Sequence, residues 1–474
     1  MAKNKSVVID YTQGKIAPQL ISFAIPFILA NILQQLYNVV DSIVVGQVCG
    51  SAGLSAVSVG GQMVQLVTSV CMGFSNGGQV LVSQHVGAKD QEGVGKVVGT
   101  MFSFISILAL FLALVCIIFR RTFLGWMNTP PEAFDQAARY MLVCSFGYVF
   151  VSGYNSCCGL LRGVGDSRRP LIYIGVSSVI NLVLDLIFVG ALRMEAQGAA
   201  IATVIAQIIA CFVAFRSVLG HREEFGLSDV RAAFRLDRQM LRSFLKLGIP
   251  MAIQTCAIQL SQLFVNSFIN SYGVAASAAM AVGRKLQQFC NIVSMGVRQA
   301  ASSMIGQNFG AGKNDRVSKI VHTAVMVSLC ASLVFGAAAL LFPRQIFTIF
   351  TTDAEVLALA PTLMKILVLA FFANAFMSGY LALIQGIGFA SLFMVIALMD
   401  GIVFRIGLSM LFGVWMDWGL NGLFLGNNLA IYATAIPAGI YFYMGTWKKR
   451  KALIRRRAPA PESGSGEDSG GAES

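Results

Sequence analysis

The sequence predicts an all-α integral membrane protein with about twelve transmembrane helices in two six-helix, pseudo-symmetric lobes around a central V-shaped cleft. Of the 474 residues, 56% are hydrophobic and 12% are charged, about half the charge fraction of a soluble domain. Apolar runs of about 20 residues, each long enough to cross a bilayer, recur along nearly the whole chain. The second half of the sequence also repeats the first, which indicates duplication.

The repeat is clearest in two short segments, Gln84-His-Val-Gly87-Ala88 and Gln307-Asn-Phe-Gly310-Ala311, which share their first residue and their final Gly-Ala. Ile25-Pro26 likewise aligns with Ile249-Pro250. Because each half contains an even number of predicted spans, both halves have the same orientation in the membrane. Such a parallel repeat places a site near the midplane, between or within the halves.

Apolar runs and composition divide the chain into four parts. The predicted spans are roughly 19–43, 53–80, 97–119, 137–160, 170–190, 197–218, 245–270, 274–304, 319–342, 359–384, 390–413 and 420–446. We predict an N-terminal lobe at 1–220, an inter-lobe linker at 221–244, a C-terminal lobe at 245–446, and a basic, then disordered, tail at 447–474.

Basic residues predict the topology. If the N-terminus is cytoplasmic, that side receives Lys89, Lys96, Arg162, Arg168, Arg169, the run from Arg222 to Lys246, Lys313, Arg316, Lys319 and the tail. The opposite side receives only Arg120, Arg121, Arg139, Arg193 and Arg344. This bias predicts that both termini are cytoplasmic. The net charge of +13 therefore lies in membrane loops and does not indicate a nucleic-acid partner.

Two carboxylates inside apolar spans are the main candidates for function. Asp41 lies in the first predicted span and Asp185 in the fifth, among Val, Leu, Ile and Phe. A carboxylate at that depth is costly and usually faces a bundle interior or a water-filled path. Asn181 precedes Asp185 by four residues and shares its helix face, and Thr203 lies in the next span. We predict that these four residues bind Na⁺ or H⁺; a protonated Asp that only bonds a neighbouring helix is the alternative.

Each half opens with a proline inside its first span, Pro26 and Pro250. Proline removes one backbone hydrogen bond and kinks a helix. Its recurrence favours a hinge over a static packing kink.

Other polar residues inside the spans are candidates for the cavity or its gates. They are Tyr37, Asn155, Gln254, Arg284, Asp400 and Arg405. Asp400 precedes Arg405 by five residues, and we interpret it as a structural or gating partner of that arginine, not as a coupling site.

Enzymatic motifs and cofactor sites are missing from the sequence. It has no phosphate-binding Gly-x-x-x-x-Gly-Lys, no Gly-x-Ser-x-Gly and no paired cysteine spacing, and its three histidines are far apart. We expect no cofactor, and no metal beyond a Na⁺ at Asp41, Asn181 and Asp185. Without an ATP site, transport is driven by an ion gradient or is passive.

Several motifs together resemble the multidrug and toxic compound extrusion (MATE) family. They are Ile25-Pro26, Leu36–Gly46, Gly87-Ala88, Arg162–Asp166, Asn181–Asp185, Gly198–Ala200 and Gly306–Ala311. The resemblance covers roughly residues 15–446 and implies a twelve-helix antiporter that expels amphipathic, often cationic, compounds in exchange for Na⁺ or H⁺. It also implies that Asp41, Asn181, Asp185 and Thr203 form the cation or proton site, and that the first helix bends near Pro26.

The resemblance favours the prokaryotic branch with first-lobe carboxylates, because the seventh and tenth spans lack acids. It implies a multi-pass protein of a prokaryotic plasma membrane. We expect small-molecule substrates and membrane lipid as its partners, and a monomer. Three alternatives stay open: a lipid or lipid-linked oligosaccharide flippase of the same superfamily, a membrane-embedded lipid-modifying enzyme, and a channel.

Overall fold

Twelve long α-helices follow one another along the chain in the computed structural model, which describes residues 6–127, 129–229, 231–270, 272 and 274–453. They are α1 (Ile16–Gly50), α2 (Gly53–Gly87), α3 (Gln91–Trp126), α4 (Pro131–Gly163), α5 (Arg168–Ala191), α6 (Glu195–Gly220), α7 (Arg238–Asn270), α8 (Val274–Gly310), α9 (Asn314–Leu341), α10 (Ala354–Gly386), α11 (Ala390–Trp415) and α12 (Gly419–Tyr443). Most continue past the predicted apolar run, because helical hydrogen bonding does not stop where the hydrocarbon ends. For the same reason α7 begins at Arg238, inside the predicted linker.

Ten of these helices are long and apolar enough to cross a membrane, judged over the described residues. The other two, α7 and α8, have 33 and 37 residues and are more polar; α8 contains Arg284, Lys285 and Arg298. A helix of about 20 residues spans the hydrocarbon core, so both are also long enough. The protein is a multi-pass helical membrane protein.

The backbone repeats along with the sequence. A π-helical segment occurs at Leu186–Ala191 in α5 and again at Leu411–Trp415 in α11. The turn that follows has a positive φ at Arg193 in the first half and at Asp417 in the second. Because left-handed backbone is uncommon for residues with side chains, its recurrence shows that the two halves share one local geometry.

The two lobes pack together at the end of the molecule where the described segments before α1 and after α12 lie, which we call the termini face. Gly77 of α2 packs on the backbone of Gly248 in α7. A Cβ on Gly87 would overlap the carbonyl of Gln307, and one on Gly310 would overlap the carbonyl of Gln84. Only glycine allows helices to approach this closely.

A symmetric pair of glutamines crosses the contact. Gln84 Nε2 donates to the carbonyl oxygen of Gly386 at 2.9 Å, and Gln307 Nε2 lies 3.5 Å from that of Gly163. In the sequence repeat Gln84 aligns with Gln307, and Gly163 aligns with Gly386. The buried amides therefore join the lobes through equivalent positions.

Both chain ends reinforce the termini face. Before α1, the amide of Ile9 donates to Val164 of the first lobe at 2.9 Å, and that of Tyr11 donates to Gln307 of the second at 2.9 Å. After α12, Trp447 is buried and the amide of Leu453 donates to Gln84 Oε1 at 3.1 Å. Trp447 and Leu453 thus pack against the lobes at the start of the predicted tail, whereas residues 448–451 between them are exposed; residues 454–474 lie outside the described residues.

The lobes separate toward the opposite face. Among the described residues, every hydrogen bond between the lobes lies in the termini-face half. The hydrophobic clusters nearer the opposite face belong to one lobe each, such as that around Tyr140 and that around Phe424. The result is the expected cleft, closed at the termini face and wider at the other.

Candidate ion-coupling site

Asp41 and Asp185 meet inside the first lobe, where α1 packs against α5. Their carboxyl groups are close enough for a hydrogen bond once one of them is protonated. Asp185 is the last α-helical residue of α5 before the π-helical segment, and it is 0% exposed. π-helical turns inside helices occur frequently at functional sites. Two acids that are distant in the sequence therefore share one pocket.

Three neutral polar residues lie beside the carboxylates. Asn181 Nδ2 is 3.4 Å from Thr203 Oγ1 on α6, and the Tyr37 hydroxyl is 3.5 Å from the same Oγ1. Asn181 lies one helical turn before Asp185, and Tyr37 one turn before Asp41. The structure thus brings together Tyr37, Asp41, Asn181, Asp185 and Thr203.

Among the described residues, several oxygen atoms of this pocket find no hydrogen-bond donor. They are Asp41 Oδ1, Asn181 Oδ1 and both carboxylate oxygens of Asp185, all of which are buried. Buried polar atoms are almost always paired, and leaving them unpaired is costly. A set of acceptors without donors suits an electropositive occupant, either a proton or a hard cation held by oxygen ligands.

Tyr140 and Cys144 on α4 form a further wall of the pocket that the sequence did not indicate. Both lie close enough to Asp41 to interact with it electrostatically, and both are buried. Gly60 makes room for the Tyr140 ring, because a Cβ there would collide with it. The only sequence signal was their spacing of four residues, which repeats that of Tyr37 and Asp41.

Asp400 in the second lobe has the opposite environment. Its Oδ1 accepts from Arg405 Nη2 at 2.9 Å, and its Oδ2 accepts from the Thr434 hydroxyl at 3.1 Å. Arg405 Nη1 also donates to Asn427 Oδ1 at 3.1 Å. Asp400 and Arg405 are 3% and 4% exposed. This carboxylate is already neutralised, so it offers no vacant ligand to an ion.

The remaining sequence candidates lie away from this pocket. Pro26 and Pro250 are inside α1 and α7, in the half of the molecule where the lobes touch. Asn155 donates to the carbonyl of Val151 in its own helix at 2.9 Å. Gln254 is half-buried on α7, and Arg284 is exposed on α8.

Comparisons with known proteins place the chain in a family. The MatE family model matches residues 26–187 and 250–411, one stretch in each lobe, and each begins at the repeated proline. The "Probable multidrug resistance protein YpnP" of Bacillus subtilis (strain 168) is 27% identical over 456 residues, covering 94% of this chain and 99% of that protein. The "Probable multidrug resistance protein YoeA" of the same strain is 31% identical over 361 residues, covering 74% and 78%.

The fold matches solved structures too. The chain superimposes with a TM-score of 0.86 on the outward-facing conformation of a multidrug resistance MATE family transporter of the MOP superfamily. That match has 21% sequence identity and covers 95% of this chain and 100% of the other. Because the family model covers more than half of the sequence and the fold agrees throughout, the protein belongs to the MatE family and is a membrane transporter, not an enzyme.

Proposed function

We propose that the protein is a secondary active multidrug efflux antiporter of a prokaryotic plasma membrane, exporting amphipathic organic compounds in exchange for H⁺ or Na⁺. The names of the relatives support multidrug export, because YpnP and YoeA are both described as probable multidrug resistance proteins. Bacterial relatives and a chain made largely of membrane-spanning helices support the location.

The proposal of ion coupling rests on the buried oxygens around Asp41 and Asp185 for which the described residues provide no donor. Two ionised carboxylates close enough to form a hydrogen bond repel each other strongly where water is excluded. A bound proton or Na⁺ removes that repulsion and supplies the missing partner. The pair then titrates or binds as one unit, and Asn181 and Thr203 contribute neutral oxygens to it.

Antiport requires that ion and substrate favour different arrangements of the lobes. We propose that residues 1–220 and 245–446 move as two bodies, with hinges at Pro26 and Pro250. In this proposal the termini face is cytoplasmic, which agrees with the basic loops on that side. The cleft between the lobes, closed at the termini face and wider at the opposite face, is then open to the outside and closed to the cytoplasm.

The test is efflux of a fluorescent drug from proteoliposomes under separately imposed Na⁺ and H⁺ gradients. One of the two gradients is expected to drive accumulation against the drug gradient, and Asp185→Asn should abolish it. Asp135→Asn is the matched control, because Asp135 is exposed and pairs with Arg121 at the end of the molecule away from the termini face.

The alternatives give different results in the same vesicles. Drug flux that neither gradient drives would favour a channel, and translocation of labelled lipid in place of drug would favour a flippase. If Asp185→Asn protein pumped at the parent rate, the coupling site would have to lie elsewhere.

A further inference from the structure

An open groove of about 740 Å³ lies between α10 and α12 of the second lobe. Its walls are aromatic and aliphatic: Phe376 and Tyr380 of α10, and Ile436, Ile440 and Tyr443 of α12. The three side chains of α12 are 56%, 56% and 69% exposed. A large apolar surface is therefore left uncovered by the described residues on a helix that spans the membrane.

The groove faces away from the first lobe. On α12, Ala438 belongs to the hydrophobic core cluster that extends to Phe74 of α2. Ile436 and Ile440 lie two positions before and after Ala438, and an α-helix turns by about 100° per residue. Both side chains therefore point to the side of α12 opposite that core, which is the side turned to the surrounding membrane.

The groove has the depth of one membrane leaflet. Both α10 and α12 run toward the termini face and end there, at Gly386 and Tyr443. Tyr432, at the other end of the groove, lies 11 residues before Tyr443, a distance of about 17 Å along the helix. The hydrocarbon core of a bilayer is about 30 Å thick, so one leaflet contributes about 15 Å. An acyl chain that enters from the termini face fits this length.

Polar and aromatic side chains lie at the mouth of the groove. The hydroxyl groups of Tyr380 and Tyr443 are 3.3 Å apart, and the ring of His322 on α9 lies 5.1 Å from that of Phe442. The Phe442 ring stacks in turn on Trp447, with 6.2 Å between the ring centroids. Tyr and Trp are enriched at the level of the lipid headgroups, so these residues mark where the groove meets the membrane surface.

The segment after α12 brings basic side chains to this mouth. Lys448 Nζ lies 5.8 Å from the centroid of the Trp447 ring. The carbonyl oxygen of Lys448 accepts a hydrogen bond from Asn314 Nδ2, at the start of α9, at 3.2 Å. The start of α9 and the segment after α12 thus lie side by side at the termini face.

These two segments are strongly positive. Residues 312–322 contain three Lys or Arg and residues 445–453 contain four, whereas Asp315 is their one acid. Lys319, one helical turn before His322, is exposed, as is Lys449. Basic pockets beside membrane helices bind anionic lipid headgroups, so the charge at the mouth complements such a headgroup.

The first lobe has no equivalent of the tyrosine in the groove wall. The repeat that aligns Gly163 with Gly386 also aligns Cys157 with Tyr380, and Cys157 is buried. A side chain that the shared fold needed for packing would occur in both lobes. The groove is thus a particular feature of the second lobe.

We infer that the groove between α10 and α12 binds an anionic phospholipid of the leaflet at the termini face. One acyl chain lies between Tyr380 and Ile440, and the phosphate lies near Lys319 and Lys449. Because lipid tails are as apolar as the groove, close packing against the rings holds the chain, and the charged headgroup supplies the selectivity. The site lies outside the cleft and goes beyond the proposed transport function.

Quenching of Trp447 fluorescence by brominated lipids tests the inference. Trp126, Trp415 and Trp418, all at the opposite face, are replaced by Phe, which leaves Trp447 as the single tryptophan. The full-length protein is reconstituted into dioleoylphosphatidylcholine vesicles with rising fractions of brominated phosphatidylglycerol or brominated phosphatidylcholine. Half-maximal quenching is expected at a fraction of the glycerol lipid about fivefold or more lower, the preference expected from a single basic side chain near the headgroup.

Two pairs of substitutions separate a defined headgroup site from general attraction to a basic surface. Lys319→Gln combined with Lys449→Gln should remove the preference for phosphatidylglycerol. Lys89→Gln combined with Lys96→Gln is the matched control and should keep it. Lys89 and Lys96 are exposed at the termini face of the first lobe, and Lys96 aligns with Lys319 in the repeat.

A third variant, Gly439→Leu, tests the groove itself. Gly439 lines the groove, and a Cβ there would lie 3.3 Å from the Tyr380 ring. A leucine side chain therefore takes up space that the acyl chain needs, so a larger fraction of either lipid should be required for quenching. If this variant does not fold, the exposed pair Lys319 and Lys449 still decides the question.

Equal quenching by the two lipids, or a preference that survives in the Lys319 and Lys449 pair, would overturn the inference. The same loss of preference in the Lys89 and Lys96 pair would also overturn it, because the attraction would then be spread over the whole basic face. Unchanged quenching in folded Gly439→Leu protein would show that the chain lies elsewhere. These measurements use neither drug nor ion gradient, so none of these results bears on the proposed function.

Discussion

At the residue scale, the surroundings of a membrane aspartate indicate its role. Asp185 is buried, and neither of its carboxylate oxygens has a donor in the part of the chain that the structure describes, whereas Asp400 is similarly buried and both of its oxygens accept hydrogen bonds. In the proposed function, the first binds the coupling cation or proton. The second stabilises Arg405, and removing one member of a buried ion pair leaves the other charge uncompensated.

These environments predict different effects for two substitutions, one on stability and the other on transport. Asp400→Asn should lower the free energy of unfolding by about 3 kcal/mol, while the molecules that fold still transport. Asp185→Asn removes a buried charge for which the described residues provide no partner, so the variant should retain stability but lose gradient-driven efflux, and Asp41→Asn should behave the same way. Thermal unfolding in detergent and efflux per folded molecule are the two measurements. A stable but inactive Asp400→Asn protein would move the coupling site to the second lobe.

At the scale of elements, the repeated proline is the feature most closely connected with movement. Pro26 and Pro250 lie within α1 and α7, near the places where those helices contact the other lobe through Ile28 and Gly248. Proline cannot donate a backbone hydrogen bond, so the helix is locally easier to bend there.

If the prolines are hinges, Pro26→Ala and Pro250→Ala should slow transport without weakening ion binding. Alanine restores the missing backbone donor and stiffens the helix. Transport rate and ion affinity are to be measured separately. Pro131→Ala is the control, because Pro131 is at the start of α4, where no helical hydrogen bond is lost. Parent-like rates for both variants would show that the prolines only pack.

At the scale of the whole molecule, the closed termini face depends on the absence of side chains at two symmetric positions. The backbone at Gly87 touches Gln307, and that at Gly310 touches Gln84. The termini face cannot close in this way if either glycine gains a Cβ.

Gly87→Ala and Gly310→Ala should therefore favour the arrangement that is open at the termini face. The readout is thiol labelling of Ser303→Cys, a buried position beside Gln79, with the ten native cysteines replaced. Labelling is expected to rise in both glycine variants. Gly175→Ala and Gly407→Ala are controls, because a Cβ there meets no described residue within 4 Å. Unchanged labelling in the first pair would show that the lobes tolerate the added methyl group.

The topology is a separate prediction at this scale. The basic loops place the termini face in the cytoplasm, so in intact cells a cysteine at Lys313 should resist an impermeant thiol reagent and one at Arg344 should react. The reverse pattern would invert the cleft and make the described arrangement open to the cytoplasm.

The sequence by itself determined the helical membrane class, the number of spans, the internal duplication and the acidic residues inside apolar spans. Each of these depends on local composition or on comparing one half of the chain with the other. A carboxylate such as Asp185 stands out in an apolar run because its cost in a membrane does not depend on the details of the fold.

Only the tertiary structure decided which of those polar residues meet and which face is closed. Tyr140 of α4 lies beside Asp41 of α1, and Thr434 of α12 donates a hydrogen bond to Asp400 of α11. Trp447, at the start of the predicted basic tail, is buried. Such contacts depend on the packing of whole helices, and a helix face in the sequence does not say which neighbour it will meet.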